Sequence, residues 1–194
     1  MVDLLFPSAV LRLPEPEHLA KARDEFTKYI VQVKPNCWNV CQSETIPNLD
    51  ELAQSIANHA FVMLQDQGYN LINKQTRVAE FWGQEFGFHG QHVEHIHGNG
   101  AQITGFYFVD VPTGSSQPIV FDPRAGKKQI GLHQTNLEEV TYASNEVVLQ
   151  ANTGDLMLFN SWLPHGFTRH EINEPLQFIH FNVYVEDALS VEIV

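Results

Sequence analysis

The sequence predicts a mainly β protein with N-terminal helices, closing as a double-sheet barrel that carries the helices on one outer face. Three observations predict it. Apolar residues recur at helical spacing only in the first third of the chain. From Arg77 onward, short stretches rich in Phe, Val, Ile and Tyr alternate with Gly, Pro, Asn and Asp. The last of these stretches sets Ile179, Phe181, Val183 and Val185 against Phe178, His180, Asn182 and Tyr184. A strand with that period turns its apolar set toward a covering layer and its polar set toward a cavity.

The elements follow in order. His18 to Val31 carries Leu19, Ala22, Phe26 and Ile30 on one helical face. A second helix is opened by Asn48 as cap with Glu51 in capping-box position. Leu52, Ile56, Ala60 and Met63 form its stripe, and Gly68 stops it. Lys34 to Pro47 reads as the connecting loop. Strand candidates are Arg77 to Phe86, Ala101 to Val111, Pro118 to Phe121, Glu146 to Ala151, Asp155 to Asn160 and Leu176 to Val185. Residues 1–194 are expected to form one domain, a helical part over 1–75 and a β core over 76–188, without repeats.

Composition narrows the function. A hydrophobic fraction of 43% with 13 phenylalanines suits a packed core rather than a disordered chain. A net charge of -12 disfavours bulk nucleic acid and anionic membrane, which both need a basic face. Cys37 and Cys41 are the only cysteines and are read as reduced thiols. No basic start precedes a long apolar run, so neither a secretory signal nor a membrane span is expected, and a cytoplasmic location follows. The substrate is expected to be a small molecule or peptide, and oligomeric state stays open.

The chemistry lies in histidines. His95-Ile96-His97 puts two imidazoles on one side of an extended segment, and Ser161-Trp162-Leu163-Pro164-His165-Gly166 offers a third far downstream. Three imidazoles converging on one cavity suit a first-row transition metal with open positions. His180 is expected on the cavity side of the last strand, close to the metal or its cosubstrate. His89 and His92 are expected to be exposed near the cavity mouth. Asp122-Pro123-Arg124 reads as a turn with an internal ion pair, and Trp162 as a packing residue behind His165.

Six motifs in order carry a resemblance. They are Phe81-Trp82-Gly83-Gln84-Glu85-Phe86, His95-Ile96-His97, Thr104-Gly105-Phe106-Tyr107-Phe108, Phe121-Asp122-Pro123-Arg124, Ser161-Trp162-Leu163-Pro164-His165 and Phe178-Ile179-His180-Phe181-Asn182. Together they resemble the 2-oxoglutarate/Fe(II)-dependent oxygenases found in phages and marine bacteria. The resemblance implies a double-stranded β-helix (jelly-roll, cupin-like) and an enzyme that uses Fe(II) with 2-oxoglutarate as cosubstrate. The reaction it implies is hydroxylation of an unidentified substrate, with release of succinate and carbon dioxide. It implies His95, His97 and His165 as metal ligands, with no catalytic residue beyond them.

Two departures stand out. A histidine occupies the usual carboxylate position of the ligand set. The Arg or Lys that normally holds the far carboxylate of 2-oxoglutarate is missing from Glu174-Pro175-Leu176-Gln177-Phe178. Tyr107, Gln177, Arg169 and His180 are the cosubstrate-binding candidates. Two other readings accommodate the departures: a three-histidine cupin-like iron dioxygenase independent of 2-oxoglutarate, and a non-catalytic metal-binding jelly-roll.

Overall fold

The structure is a computed structural model that describes residues 6–30 and 33–188. Nine strands and two α-helices run in the order β1 (Val10–Pro14), α1 (Leu19–Ile30), β2 (Val40–Gln42), α2 (Asp50–Asp66), β3 (Lys74–Phe86), β4 (Ile103–Asp110), β5 (Pro118–Phe121), β6 (Glu146–Val148), β7 (Asp155–Asn160), β8 (His165–Phe167) and β9 (Leu176–Asp187). All pairings are antiparallel. Six strands form a major sheet in the order β1-β7-β4-β9-β3-β2, and β6-β5-β8 form a minor sheet facing it.

The alternation along β9 sorts the core into two layers. Ile179, Phe181 and Val183 pack with Tyr107, Leu156 and Leu158 against Ala22, Phe26, Leu52, Ile56 and Ala60 of the helices. The opposite face sends Leu176 and Phe178 into a second cluster with Phe86, Phe106, Phe108, Phe159 and Phe167, between the two sheets. Both faces of the central strands are therefore covered, and burying each such aromatic is worth about 1.5–3 kcal/mol. Close approach of β4 to its neighbours requires Gly105, where a Cβ would lie 2.1 Å from the Met157 carbonyl oxygen.

Pro118–Phe121 and Asp155–Asn160 coincide with the strands expected there, and the other four candidates overlap β3, β4, β6 and β9. The N-terminal part departs from expectation. It is not purely helical, since β1 and β2 become the two edges of the major sheet, β2 falling inside the expected loop. Both are short, and pairing across more than 40 residues decides them. Asn48 does not cap α2: it adopts a left-handed φ of 61°, its amide donates to Glu25, and Leu49 holds the cap position. Asp50 and Glu51 complement the helix dipole in the first turn instead. Gly68 follows the helix at a φ of 88°, as its expected stop. Val31 lies outside the described residues.

Candidate metal centre

The segment carrying His95 and His97 runs alongside β8. His95 and His165 exchange both backbone hydrogen bonds, at 2.9 and 3.0 Å, and the His97 N–H donates to the Ser161 carbonyl at 2.9 Å. On its other side β8 pairs with β5, Val120 opposite His165. Gly166 permits this close stacking of strands, because a Cβ there would sit 2.7 Å from the His92 carbonyl oxygen. The local pattern thus locks one imidazole between two backbones and aligns the other two with it.

The three rings converge. Ring centroids are 4.4 Å apart for His95–His165, 5.1 Å for His97–His165 and 5.3 Å for His95–His97. One nitrogen from each ring lies within 4.8 Å of the others. Hydrogen bonding sets the tautomers. Nδ1–H of His95 donates to the Val93 carbonyl at 2.8 Å, and Nδ1–H of His165 donates to the Leu163 carbonyl at 2.9 Å. Each ring therefore presents an Nε2 lone pair. Nε2 of His97 and of His165 are buried without any hydrogen-bond partner. A cation would satisfy the buried Nε2 lone pair of His165 and, with the proton of His97 on Nδ1, the orphaned Nε2 beside it, so the residues fit a metal ion.

Electrostatics agree. Desolvation, with a smaller contribution from His95, pushes His97 down to about 4. Desolvation likewise pushes His165 down to about 3, against the opposing effect of its Leu163 hydrogen bond. Both rings stay neutral at pH 7, the state in which imidazole binds a metal.

Beyond these three, the inner face of the major sheet supplies a neutral wall. His180 stacks on His97 at 4.7 Å and meets Trp82 at 4.1 Å. Thr104 Oγ1 gives its single proton to the Phe181 carbonyl, so at 3.1 Å it accepts from Nε2–H of His180. That leaves an unpartnered Nδ1 lone pair on a ring that is 3% exposed. Burial holds His180 well below its ordinary pKa. Gln84 approaches His92 at 3.5 Å, and one oxygen each of Gln84 and Asn182 is buried without a partner.

His180 thus sits beside the three rings, as its parity on β9 predicts. Tyr107 does not. It lies on the opposite face of β4 among the helices, fully buried, its hydroxyl donating to the Glu15 carbonyl at 2.8 Å. Gln177 shares the parity of Ile179 rather than of Phe178 and donates to Glu85 at 2.6 Å. Neither reaches the cavity, because one residue of offset on a strand reverses the face. Arg169 is exposed in the loop after β8.

Asp122 and Arg124 form the expected ion pair at 2.8 Å. Trp162, expected to pack behind His165, is 44% exposed. His92, expected at the surface, is half-buried, with its ring 5.8 Å from His95 and 5.2 Å from Phe86. Its inward turn had no periodic signal, whereas Trp82 and Thr104 share the cavity parity of their strands.

Solved structures share the fold. HygX from Streptomyces hygroscopicus, with nickel and 2-oxoglutarate bound, aligns with a TM-score of 0.61 at 11% identity, over 91% of this chain and 83% of that one. The non-heme alpha ketoglutarate dependent carbocyclase SnoK from nogalamycin biosynthesis aligns at 0.64 and 11% identity, over 95% and 84%. The epimerase SnoN from the same biosynthesis aligns at 0.62 and 10%, over 96% and 81%. No curated protein matches the sequence. The family described as "Putative 2OG-Fe(II) oxygenase" matches residues 80–182, the stretch from β3 to β9 that holds all three histidines. That match spans more than half of the chain, and the protein belongs to this family of 2-oxoglutarate/Fe(II)-dependent oxygenases.

Proposed function

We propose that His95, His97 and His165 hold the iron of this oxygenase and that the enzyme hydroxylates a small molecule or peptide. The observation that carries the reading is the convergence of three imidazoles, one nitrogen of each within 4.8 Å of the others, with Nε2 of His97 and of His165 buried and unpartnered. Iron(II) bound there with 2-oxoglutarate supplies oxygen activation coupled to formation of succinate and carbon dioxide. The protein's own part is positional. The Val93 and Leu163 carbonyls fix two ligand tautomers, and the backbone ladder between His95 and His165 fixes their separation. Phe106 and Phe159 pack on His165 at 6.0 and 4.6 Å and keep water off its buried side.

A cleft of about 500 Å³ lies beside Trp82, bordered by Lys34, Gln42, Glu44 and Glu80. Its size suits a small substrate. It shares Trp82 with the stack that leads through His180 to His97, which supports it as the approach for substrate. No helix among the described residues is long and apolar enough to cross a membrane. A cytoplasmic location accords with the absence of any disulfide among them. The test is anaerobic Fe(II) binding followed by oxygen exposure with 2-oxoglutarate. One metal per chain and succinate release are expected, both lost in His165→Ala. Retention of tight Fe(II) binding by that variant would remove the proposed ligand set.

A further inference from the structure

We propose that the cosubstrate position of this centre discriminates little in favour of a far carboxylate, so that 2-oxo acids with uncharged ends bind about as well as 2-oxoglutarate. The inference rests on the iron reading above and concerns only the end of the cosubstrate remote from the metal. A 2-oxo acid needs two adjacent coordination positions for its 1-carboxylate and keto oxygen, which three imidazoles gathered on one side leave available. The remote carboxylate needs something more: once desolvated, it requires a cation or several hydrogen-bond donors.

The fold offers neither where the cosubstrate would extend into the barrel. On β9, the strand following His165, the inward positions deeper than His180 are Phe178 and Leu176, both fully buried. They are walled by Phe86, Phe106, Phe108 and Phe167, with Phe167 stacked on Phe178 at 4.7 Å. Among the described side chains no Lys or Arg is buried. Lys127, the least exposed of them, is paired with Asp122 at 3.0 Å. Arg23 is committed to the Val109 carbonyl on the helix side, and Arg77 to Glu186.

The polar groups beside the metal are also wrong for an anion. Thr104 forces His180 to present a lone pair at Nδ1, and a carboxylate oxygen brought against it meets lone pair with lone pair. Gln84 and Asn182 can turn an N–H toward a ligand by rotating their amides, but each supplies only a neutral hydrogen bond. An arginine fork gives two charge-assisted ones.

The experiment uses full-length protein loaded anaerobically with Fe(II). It is titrated with 2-oxoglutarate and with 2-oxopentanoate, the same five-carbon chain without the far carboxylate. The metal-to-ligand absorption band of the chelate reports binding without turnover. Dissociation constants within about threefold of each other are expected, and unchanged within about twofold when either of two exposed arginines, Arg12 on β1 or Arg169 after β8, is replaced by alanine. A preference of about thirtyfold or more for 2-oxoglutarate overturns the inference while leaving the iron reading intact. Loss of that preference in either arginine variant would identify the anchor as an exposed arginine folding over the site. If Fe(II) binds but neither acid raises a band, this inference falls together with the cosubstrate reading beneath it.

Discussion

Replacing Gly166 with alanine tests whether backbone packing, rather than the histidines alone, builds the proposed metal centre. A Cβ at this position would lie 2.7 Å from the His92 carbonyl oxygen, 3.1 Å from that of Val93 and 3.2 Å from the Val93 carbonyl carbon, where ordinary contact begins at 3.4 Å. All three atoms are backbone, so no side chain can swing away. The segment carrying His95 must instead retreat from β8 by roughly 0.7 Å, and with it the paired hydrogen bonds of 2.9 and 3.0 Å between His95 and His165. Metal sites tolerate ligand displacements of only about 0.2 Å. A shift several times larger should weaken Fe(II) or Co(II) binding by about 10–100-fold, or about 1.4–2.8 kcal/mol. Overpacking should cost the metal-free fold about 1–3 kcal/mol. Anaerobic Co(II) titration by absorbance, with urea unfolding of the metal-free variant alongside, separates the two effects. A folded Gly166→Ala protein with unchanged Co(II) affinity would refute the idea that this strand contact sets ligand spacing.

Phe178→Ala removes a fully buried ring that meets Phe86, Phe106, Phe108 and Phe167. Its urea unfolding free energy should drop by about 3–5 kcal/mol, and a loss below about 1 would mean that the inter-sheet cluster is not the core it looks to be. Tyr107→Phe deletes only the hydrogen bond to Glu15. It should cost about 0.5–1.5 kcal/mol of stability while leaving 2-oxoglutarate affinity untouched, and a weakened cosubstrate titration would contradict the placement of Tyr107. In the unfolded chain His97 and His165 protonate near their ordinary 6.5, but in the folded one only near 4 and 3, chiefly through desolvation. As pH falls through that window the unfolded state binds more protons, so metal-free protein should lose stability from about pH 6.5 down to about 3. Comparing urea midpoints of wild type and His165→Gln at pH 7 and pH 4.5 checks the sign, and an equal acid loss in both proteins would count against it.

Much of the fold was readable because its signals are local. Helical spacing at Ala22, Phe26 and Ile30, and at Leu52, Ile56 and Ala60, marks faces that are buried in the structure. Strict alternation along β9 separates the two core layers. The missed strands share one cause: β1 and β2 are five and three residues long, too short for any period to register. They exist because β7 and β3 hold them.

The site divides along the same line. Residue type and spacing singled out His95, His97 and His165, because a two-residue repeat in an extended segment presents two imidazoles on one side. Spacing could not say that His92 turns inward, that Tyr107 and Gln177 face away, or that Thr104 decides which nitrogen of His180 carries the proton. Those outcomes depend on strand register, and a single residue of offset exchanges cavity for helix layer. The chain alone therefore determined which atoms are available for coordination, through covalent periodicity. Only the tertiary structure decided what surrounds them: a neutral polar patch on the inner sheet and a phenylalanine-filled interior behind it, assembled by pairings between residues far apart in sequence.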